Sequence, residues 1–515
     1  MSGGLARGWS VALIGVSGQL ISIEADVGAG LPGFSLLGLP DAALSESRDR
    51  VRAAVTNSGE QWPRQKVTVS MSPADLHKRG SHFDLALAAI VLAADNKVPA
   101  EELTDRVLLG ELGLDGGLRQ VRGVLPAVTA AARAGIKRVV VPEPNAAEAA
   151  LVEGVEVLGV RSLAQLLAVL RGDPVPWAPP VSCVENPTTS VELDRPDLVD
   201  VRGHGEARRA LEVAAAGGHH VFLHGAPGAG KTMLAARMPG LLPRLEGARA
   251  LEVTELHSIA GLLPPGIPLV TEPPYAQPHH SASLAAMVGG GGAKDIRPGA
   301  ASIAHHGTLF IDEANEFRGG VLDGLRQPLE SGEVVLSRSG VTARFPAQFL
   351  LVMAANPCPC GAPKGPHSCT CTSDVRRRFL SRISRPLLDR IDIQVMVDRP
   401  SRHELLHAPD GETSAVVAER VLLARERAAH RLRNTPWSLN AQVSIRALRL
   451  HFQPEPASMQ LVESALDRGS LSARGMAKVL RVAWSMADLA GLDRPGLDEV
   501  GMALAFRAGV QGGWA

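Results

Sequence analysis

One octapeptide constrains the fold of this chain more than any other stretch. Residues 225–232 read Gly-Ala-Pro-Gly-Ala-Gly-Lys-Thr and match the phosphate-loop pattern G-x-x-x-x-G-K-[ST] at every fixed position. An apolar run, 220–223, precedes the octapeptide and 233–237 continues it as a helix start, so the required elements occur in order. Backbone N–H groups in such a loop turn toward phosphates, and the helix N-terminus adds partial positive charge. The sequence therefore predicts a P-loop α/β core with a parallel sheet.

The end of the octapeptide carries the groups expected to bind nucleotide and metal. Lys231 is expected to reach the β- and γ-phosphates of ATP, and the Thr232 hydroxyl is expected to hold Mg²⁺. ATP and Mg²⁺ are therefore the predicted cofactors. The other loop residues are expected to line the phosphates: Gly225, Ala226, Pro227, Gly228, Ala229 and Gly230.

Two further apolar runs end in polar residues suited to ATP hydrolysis. The first, 307–311, lies about 80 residues beyond Thr232 and ends in Asp312 and Glu313. Asp312 is expected to bind Mg²⁺, and Glu313 to activate the attacking water as a general base. The second run, 349–355, ends in Asn356, which is expected to contact that water or the γ-phosphate. A turn asparagine before a proline is the alternative for Asn356.

Composition and chain order set further limits. Formal net charge is zero and aromatic content is 3%, so any nucleic-acid contact is expected to use phosphates rather than stacked bases. No window of 18 uninterrupted apolar residues occurs, which predicts a cytoplasmic protein without a membrane partner. We predict an α/β domain over 1–172, a proline-rich linker over 173–200, the P-loop core over 201–397 and a helical lid over 398–515.

Four of the five cysteines form a compact group: Cys358, Cys360, Cys369 and Cys371. Two C-x-C pairs joined by a short loop present four thiolates, which suits tetrahedral Zn²⁺. Zinc is therefore a predicted cofactor, and free thiols or disulfides formed under oxidation are the alternatives.

Several motifs resemble one family. The N-terminal stretches 30–34 (GLPGF), 38–41 (GLPD), 72–76 (SPADL) and 110–116 (GELGLDG) are similar to the leading domain of the ComM/YifB family of magnesium-chelatase-like AAA+ ATPases. The resemblance implies a Lon-protease-like fold there. It also raises a serine-lysine peptidase as an alternative. Aligned with Lon, His82 takes the position of the nucleophile and Leu125 that of the lysine, so we predict a non-catalytic domain; Ser81 lies one position away.

The resemblance extends to two arginines. Residues 384–392 (SRPLLDRID) resemble the arginine-finger segment of the family, which implies that Arg390 reaches the ATP of a neighbouring subunit. The resemblance thus implies a ring, and we expect a hexamer of this chain. Arg474, near a helix start, matches the sensor-2 arginine that contacts the γ-phosphate. The alternatives are a surface ion pair of Arg390 with Asp389 or Asp392, and a solvated helix arginine at position 474.

Two inserts distinguish the core. The first resembles the family's helix-2 insert and includes the pairs 279–280 and 305–306, four histidines that we do not assign to a metal. The second, 333–345, alternates and turns at 339–340, which predicts a β-hairpin with Arg338 as a candidate DNA phosphate contact or simply an exposed arginine. The resemblance implies a ring helicase that drives branch migration in natural transformation and DNA recombination. A magnesium-chelatase-like or protein-remodelling ATPase without a DNA substrate is the alternative.

Overall fold

The first sheet occupies the N-terminal third of the chain. The structure, a computed structural model, describes residues 4–38, 42–74, 76, 78, 80–181, 196–264, 267–291, 296–338, 341–360, 369–407 and 411–508. The N-terminal strands are β1 (Leu5–Ile14), β2 (Ser17–Gly28), β3 (Gly33–Leu37), β4 (Lys66–Ser72), β5 (Arg106–Leu108), β6 (Glu111–Leu112), β7 (Leu118–Arg119), β8 (Arg138–Pro142) and β9 (Glu156–Val160). Seven of them form a mixed sheet in the order β3-β4-β2-β1-β5-β8-β9.

Helices cover this first sheet. They are α1 (Ala42–Asn57), α2 (Asp84–Ala94), α3 (Val124–Arg133), α4 (Ala146–Ala149) and α5 (Leu163–Arg171). Every residue of α2 is buried, because its sequence is apolar all round apart from the initial aspartate. Of the residues aligned with the Lon nucleophile and lysine, Leu125 is buried in the core and His82 Nε2 lies 2.9 Å from the Val11 carbonyl oxygen. Ser81 donates to the Glu111 carboxylate.

The P-loop core contains a second, fully parallel sheet. Its strands are β10 (Val221–His224), β11 (Tyr275–Ala276), β14 (Thr308–Ile311), β17 (Leu350–Ala355) and β18 (Ile393–Met396), in the order β11-β14-β17-β10-β18. Each residue of β10, β14 and β17 is buried, as expected for parallel strands covered by helices on both faces. Two antiparallel pairs lie outside the sheet: β12 (Gly289–Gly290) with β13 (Arg297–Pro298), and β15 (Glu333–Arg338) with β16 (Val341–Pro346).

The predicted β-hairpin is present as β15 and β16, with Arg338 opposite Val341 at its described end. The predicted turn at Ser339 and Gly340 lies outside the described residues. At its base, Ala343 and Phe345 are buried beneath Ile14 and Val16, which belong to the β1–β2 turn region. The N-terminal sheet therefore packs directly on the hairpin.

The core helices surround the parallel sheet and lead into a helical C-terminal part. The core helices are α6 (Gly205–Gly217), α7 (Lys231–Ala235), α8 (Gly247–Ala260), α9 (Leu284–Val288), α10 (Ala300–Ile303), α11 (Arg326–Ser331), α12 (Ser373–Leu380), α13 (Arg385–Leu388) and α14 (Arg402–His407). The C-terminal helices are α15 (Ser414–Leu432), α16 (Ile445–Leu450), α17 (Pro456–Asp467), α18 (Ala473–Ala490) and α19 (Leu497–Ala508). The predicted fold class is confirmed. Residues 182–195 of the predicted linker lie outside the described residues.

Helix α18 joins the C-terminal helices to the parallel sheet. Ser472 caps it by accepting a hydrogen bond from the Gly475 N–H at 3.1 Å. Its buried Ser485 lies 2.7 Å from Nε2 of His219, and Nδ1 of that histidine lies 3.0 Å from Asp392 just before β18. All three side chains are buried, so this serine, histidine and aspartate network has no access for a substrate.

Two imidazoles beside the parallel sheet are expected to make the stability of the protein depend on pH. Nδ1 of His220 accepts the Leu351 N–H at 3.1 Å, and Nδ1 of His305 accepts the Gln348 N–H at 3.0 Å. Burial lowers the pKa of both imidazoles to about 4. The unfolded chain, with histidine pKa values near 6.5, takes up these protons first on acidification. We therefore expect the free energy of unfolding to fall as pH drops from about 6.5 to 4, by at most about 3 kcal/mol per histidine.

Denaturant titrations at pH 7.5, 6 and 5 measure this effect. His220→Gln is expected to flatten the decline, whereas His451→Gln, a change at an exposed histidine, is expected to leave it unchanged. A wild-type unfolding free energy that stays constant between pH 7 and pH 5 would contradict the assignment.

Candidate functional site

The residues predicted to bind nucleotide lie at one edge of the parallel sheet. The P-loop follows β10, Asp312 and Glu313 follow β14, and Asn356 follows β17. Because these three strands are parallel neighbours, their carboxyl ends meet at the same edge. Open α/β sheets bind ligands at that edge.

The glycines of the P-loop allow a backbone path that other residues would block. A Cβ on Gly225 would lie 2.1 Å from the Val397 carbonyl oxygen. Gly228 and Gly230 have φ angles of +73° and +92°, a region that favours glycine. The loop is therefore shaped for close approach of its backbone to a ligand, as the sequence pattern requires.

Lys231 connects the P-loop with the strand that ends in Asn356. Its Nζ donates to the carbonyl oxygens of Gly225 and Ala226 at 2.8 and 2.9 Å and to Asn356 Oδ1 at 3.0 Å. The side chain is 8% exposed, and burial lowers the pKa of the ammonium while nearby Asp312 and Glu313 raise it. A buried cation held by neutral oxygens at a glycine loop is suited to an anionic ligand.

Thr232 and Asp312 form a pair of oxygen ligands. The Thr232 hydroxyl donates to Asp312 Oδ2 at 2.7 Å, and Asp312 Oδ1 accepts the Glu313 N–H at 2.9 Å. Hydroxyl and carboxylate oxygens are the hard donors that Mg²⁺ binds, and Mg²⁺ uses few protein ligands when it also binds phosphates. These two residues therefore fit the predicted metal.

Glu313 has an unusual backbone and a partner that the sequence did not reveal. Its φ angle is +48°, which is uncommon for a residue with a side chain and is found at functional sites. Its carboxylate, 51% exposed, lies 3.5 Å from Nδ1 of His280. The sequence signal for this contact was the histidine pair 279–280, shortly after β11, the strand that pairs with β14. Because β11 has only two residues, alternation of apolar and polar side chains did not reveal it.

Arg390 pairs with a carboxylate other than those considered from sequence. One of its terminal nitrogens contacts Glu330 of α11, while Asp392 is buried against His219. Arg326 lies one turn before Glu330 on the same face of α11. Burial, Arg326 and Arg474 together lower the pKa of Arg390. Arg326, which the sequence did not single out, thus belongs to a group of three arginines with Arg390 and Arg474.

Lys478 explains why Arg474 lies in this group. Its buried Nζ donates to the carbonyl oxygens of Asp389 and Ile391, which flank Arg390. Arg474 lies one turn earlier on α18 and is exposed. The predicted residues therefore fall into two sets. One set lies at the P-loop: Lys231, Thr232, Asp312, Glu313 and Asn356. The other consists of Arg390 and Arg474, and Arg326 joins it in the structure.

The four clustered cysteines come together as the sequence predicts. Their Sγ atoms all lie within 4.8 Å of one another, and those of Cys358, Cys360 and Cys369 are 3.2 to 3.6 Å apart. Zn–S bonds of about 2.3 Å in a tetrahedron place sulfur atoms about 3.8 Å apart, so the group fits Zn²⁺. Burial and the neighbouring thiols raise the pKa of Cys358 to about 12, which a bound cation would reverse. Residues 361–368 lie outside the described residues.

A second group, Glu252, His305 and His306, is less suited to a metal. Because Nδ1 of His305 accepts the Gln348 N–H, the proton of the neutral ring is on Nε2, which points at Glu252 at 3.2 Å. A protonated nitrogen is not a metal ligand. This hydrogen-bonding pattern supports leaving these histidines unassigned to a metal.

Arg338 is exposed at the end of β15. Among the described residues, we find no helix with the length and apolar character needed to cross a bilayer.

Comparison with known proteins adds family matches along most of the chain. Models described as "Magnesium chelatase, subunit ChlI", "Subunit ChlI of Mg-chelatase" and "Magnesium chelatase, subunit ChlI C-terminal" match residues 197–405, 23–145 and 411–507. Protein Rv2897c of Mycobacterium tuberculosis is 54% identical over 503 residues, or 98% of each chain. YifB of Salmonella typhimurium is 39% identical over 96% of each chain, and competence protein ComM of Haemophilus influenzae is 38% identical over 98% of each. A shorter match, 26% identical over 179 residues, covers 32% of this chain and 22% of a Lon protease from Trichlorobacter lovleyi.

Proposed function

The chain belongs to the ComM/YifB family of magnesium-chelatase-like AAA+ ATPases, and from this premise we propose that it is an ATP-hydrolysing ring motor that acts on DNA. The observation that carries the proposal is the convergence of Lys231, Thr232, Asp312 and Asn356 within hydrogen-bond distance at one sheet edge. We propose residues 1–172 as a non-catalytic Lon-like domain, 173–200 as a linker, 201–397 as the motor and 398–515 as its lid.

In the proposed reaction, the P-loop set performs the chemistry within one subunit. The P-loop backbone and Lys231 would hold the β- and γ-phosphates. Thr232 and Asp312 would hold Mg²⁺, which would neutralise phosphate charge. Glu313 accepts a proton from the attacking water, and Asn356 orients that water or the γ-phosphate. This role is supported by the hydrogen bond that Asn356 Oδ1 accepts from Nζ of Lys231.

The three arginines supply the other half of the site in this proposal. Arg326 and Arg474 are exposed, the buried Nε of Arg390 has no hydrogen-bond partner among the described residues, and Glu330 is the carboxylate that contacts this group. An excess of positive charge with an unpaired donor fits the triphosphate of a neighbouring subunit. Arg390 would act as the arginine finger and Arg474 as the sensor-2 arginine. Such sites require a ring, and a hexamer is the proposed state.

DNA is the proposed substrate of the motor. The β15–β16 hairpin presents Arg338 at its exposed end, where a guanidinium is able to contact a phosphate. The relative ComM is named a competence protein, which favours a role in DNA uptake and recombination. We propose helicase or branch-migration activity of this type.

A second candidate function is a magnesium-chelatase-like or protein-remodelling ATPase. The names of the matching family models favour it, because all three refer to magnesium chelatase. Such a motor would use the same nucleotide site without responding to DNA.

One experiment separates the two candidates. We expect ATP hydrolysis by the full chain to be stimulated by forked, four-way or single-stranded DNA, and the mass in solution with nucleotide to correspond to a ring. ATP hydrolysis without DNA stimulation would favour the second candidate. A monomer with nucleotide, unresponsive to DNA, would contradict the ring motor and leave the nucleotide site in place.

Zinc binding is a separate prediction. The purified protein is expected to contain about one equivalent of zinc, and Cys358→Ser combined with Cys360→Ser is expected to lose it, because two of four thiolates are removed. Elemental analysis measures both. Cys183→Ser changes the one cysteine outside the group and serves as the control. Equal zinc content in the double variant and the wild type would remove the assignment.

A further inference from the structure

Helix α12 and the residues after it carry a dense group of positive charge that the proposed reaction does not use. Residues 376–385 contain five arginines and no acidic residue, in a chain whose formal net charge is zero. All five guanidinium groups belong to exposed residues: Arg376, Arg377, Arg378, Arg382 and Arg385. We call this group the arginine surface.

Few carboxylates neutralise the arginine surface. Arg377 pairs with Asp374 on its own helix, and Arg382 lies 3.6 Å from Glu316. Within the described parts of the chain, Arg376, Arg378 and Arg385 have no carboxylate partner. Unpaired exposed charges of one sign produce a local potential that attracts a polyanion even when the net charge of the protein is zero.

The arginine surface is fixed to the loop that carries Glu313. Phe379 of α12 has a buried side chain, and its carbonyl oxygen accepts a hydrogen bond from Asn315 Nδ2 at 3.1 Å. Arg382 donates in return to the Asn315 carbonyl oxygen at 3.3 Å. Asn315 is buried and lies two residues beyond Glu313. A ligand bound to the arginine surface would therefore contact residues that are hydrogen-bonded to Asn315, in the same loop as the proposed catalytic acid Glu313.

From these observations we infer that the arginine surface binds the phosphodiester backbone of nucleic acid, a contact separate from the hairpin arginine. The inference rests on the proposed function and specifies where its substrate binds. Guanidinium groups bind phosphate oxygens in a bidentate manner, and such contacts fix position without reading sequence. A protein partner is less suited, since interfaces need an apolar centre. Among the α12 side chains whose exposure the structure describes, Val375 is the exposed apolar one, at 36%.

The salt dependence of DNA binding tests the inference. The full chain with a non-hydrolysable ATP analogue is titrated into labelled single-stranded DNA at several salt concentrations, and anisotropy gives the affinity. The slope of log K against log[salt] is negative, and removing three phosphate contacts in the variant Arg376→Ala, Arg377→Ala, Arg378→Ala is expected to reduce its magnitude by about 2. At about 0.1 M salt this corresponds to about 100-fold weaker binding than wild type. DNA stimulation of ATP hydrolysis is expected to fall with it.

Matched variants separate charge from folding. The variant Arg433→Ala, Arg446→Ala, Arg449→Ala removes the same charge from three exposed arginines, one directly after α15 and two on α16, and is expected to keep the wild-type slope. The variant Arg376→Lys, Arg377→Lys, Arg378→Lys is expected to keep most of the wild-type salt slope, because the positive charge is retained. If the alanine variant unfolds at a lower temperature than wild type, Arg376→Glu replaces it, since Arg376 contacts no carboxylate among the described residues. This charge reversal is expected to reduce the magnitude of the salt slope.

Three results would overturn the inference. Equal slopes for the two triple-alanine variants would show that the arginine surface does not contact DNA. Displacement of the DNA by polyglutamate as effectively as by unlabelled DNA of equal charge would assign the surface to acidic proteins. A wild-type protein that binds no DNA at any salt concentration would remove the DNA substrate proposed above as well, whereas the first result leaves that proposal standing.

Discussion

Replacing Glu313 with glutamine is expected to lower ATP turnover by about 10²- to 10⁴-fold while ATP binding is retained. The amide has nearly the shape of the carboxylate but is not a base, so the proton of the attacking water loses its acceptor. Lys231, Thr232, Asp312 and Asn356 keep their mutual contacts, because none of those contacts involves the Glu313 side chain. Phosphate release measures turnover, and a fluorescent ATP analogue measures binding.

The same substitution elsewhere provides the control. Glu419 is an exposed glutamate on α15, and Glu419→Gln is expected to leave both turnover and binding near wild type. If Glu313→Gln hydrolyses ATP at the wild-type rate, Glu313 is not the base and another group must activate the water. If it also fails to bind the analogue, the substitution has disturbed the P-loop set and the role of Glu313 must be assigned with a different variant.

The P-loop half of the site was predictable because each of its residues is adjacent in sequence to a strong local signal. Apolar runs mark β10, β14 and β17, and the residue that follows each run is necessarily at the carboxyl edge of a parallel sheet. Asp312 and Asn356 were assigned in this way, and in the structure both contact P-loop residues. Their roles in hydrolysis stay predictions.

The arginine half was predictable only in part, because its geometry depends on contacts between distant segments. Lys478 contacts the carbonyl oxygen of Asp389, 89 residues away in sequence, and this contact places Arg474 beside Arg390. No local pattern encodes that pairing. Arg326 was missed for the same reason: α11 reads as an ordinary short helix until Glu330 is seen to contact Arg390.

The histidine beside Glu313 shows a different limit. The sequence showed His280 only as one of two neighbouring histidines, which are most often structural. Its position beside Glu313 depends on β11, a strand of two residues that precedes it and pairs with β14. The order of strands in the sheet, which places β11 at the edge next to β14, is a tertiary property. The cysteine group, in contrast, was predicted from spacing, since eight intervening residues suffice to return the chain on itself.

Replacing Arg390 with alanine is expected to lower ATP turnover by about 10³-fold or more, because an arginine finger stabilises the charge that develops on the transferred phosphate. Arg318→Ala is the matched control: Arg318 is exposed in the loop after β14, has no carboxylate partner among the described residues and is expected to retain turnover. If Arg390→Ala hydrolyses ATP as fast as the control, Arg390 is not an arginine finger and serves only in its ion pair with Glu330.

A mixing experiment then decides whether Arg390 acts on its own subunit's nucleotide or on the neighbour's. Arg390→Ala subunits keep an intact P-loop set, and Glu313→Gln subunits keep an intact arginine set. If each site combines the P-loop set of one subunit with the arginines of the next, random mixing at equal amounts leaves about a quarter of the sites complete. Mixed rings are therefore expected to recover about a quarter of wild-type turnover although each variant alone is inactive. Mixtures as inactive as the separate variants, under conditions where subunits exchange, would show that Arg390 acts within its own chain.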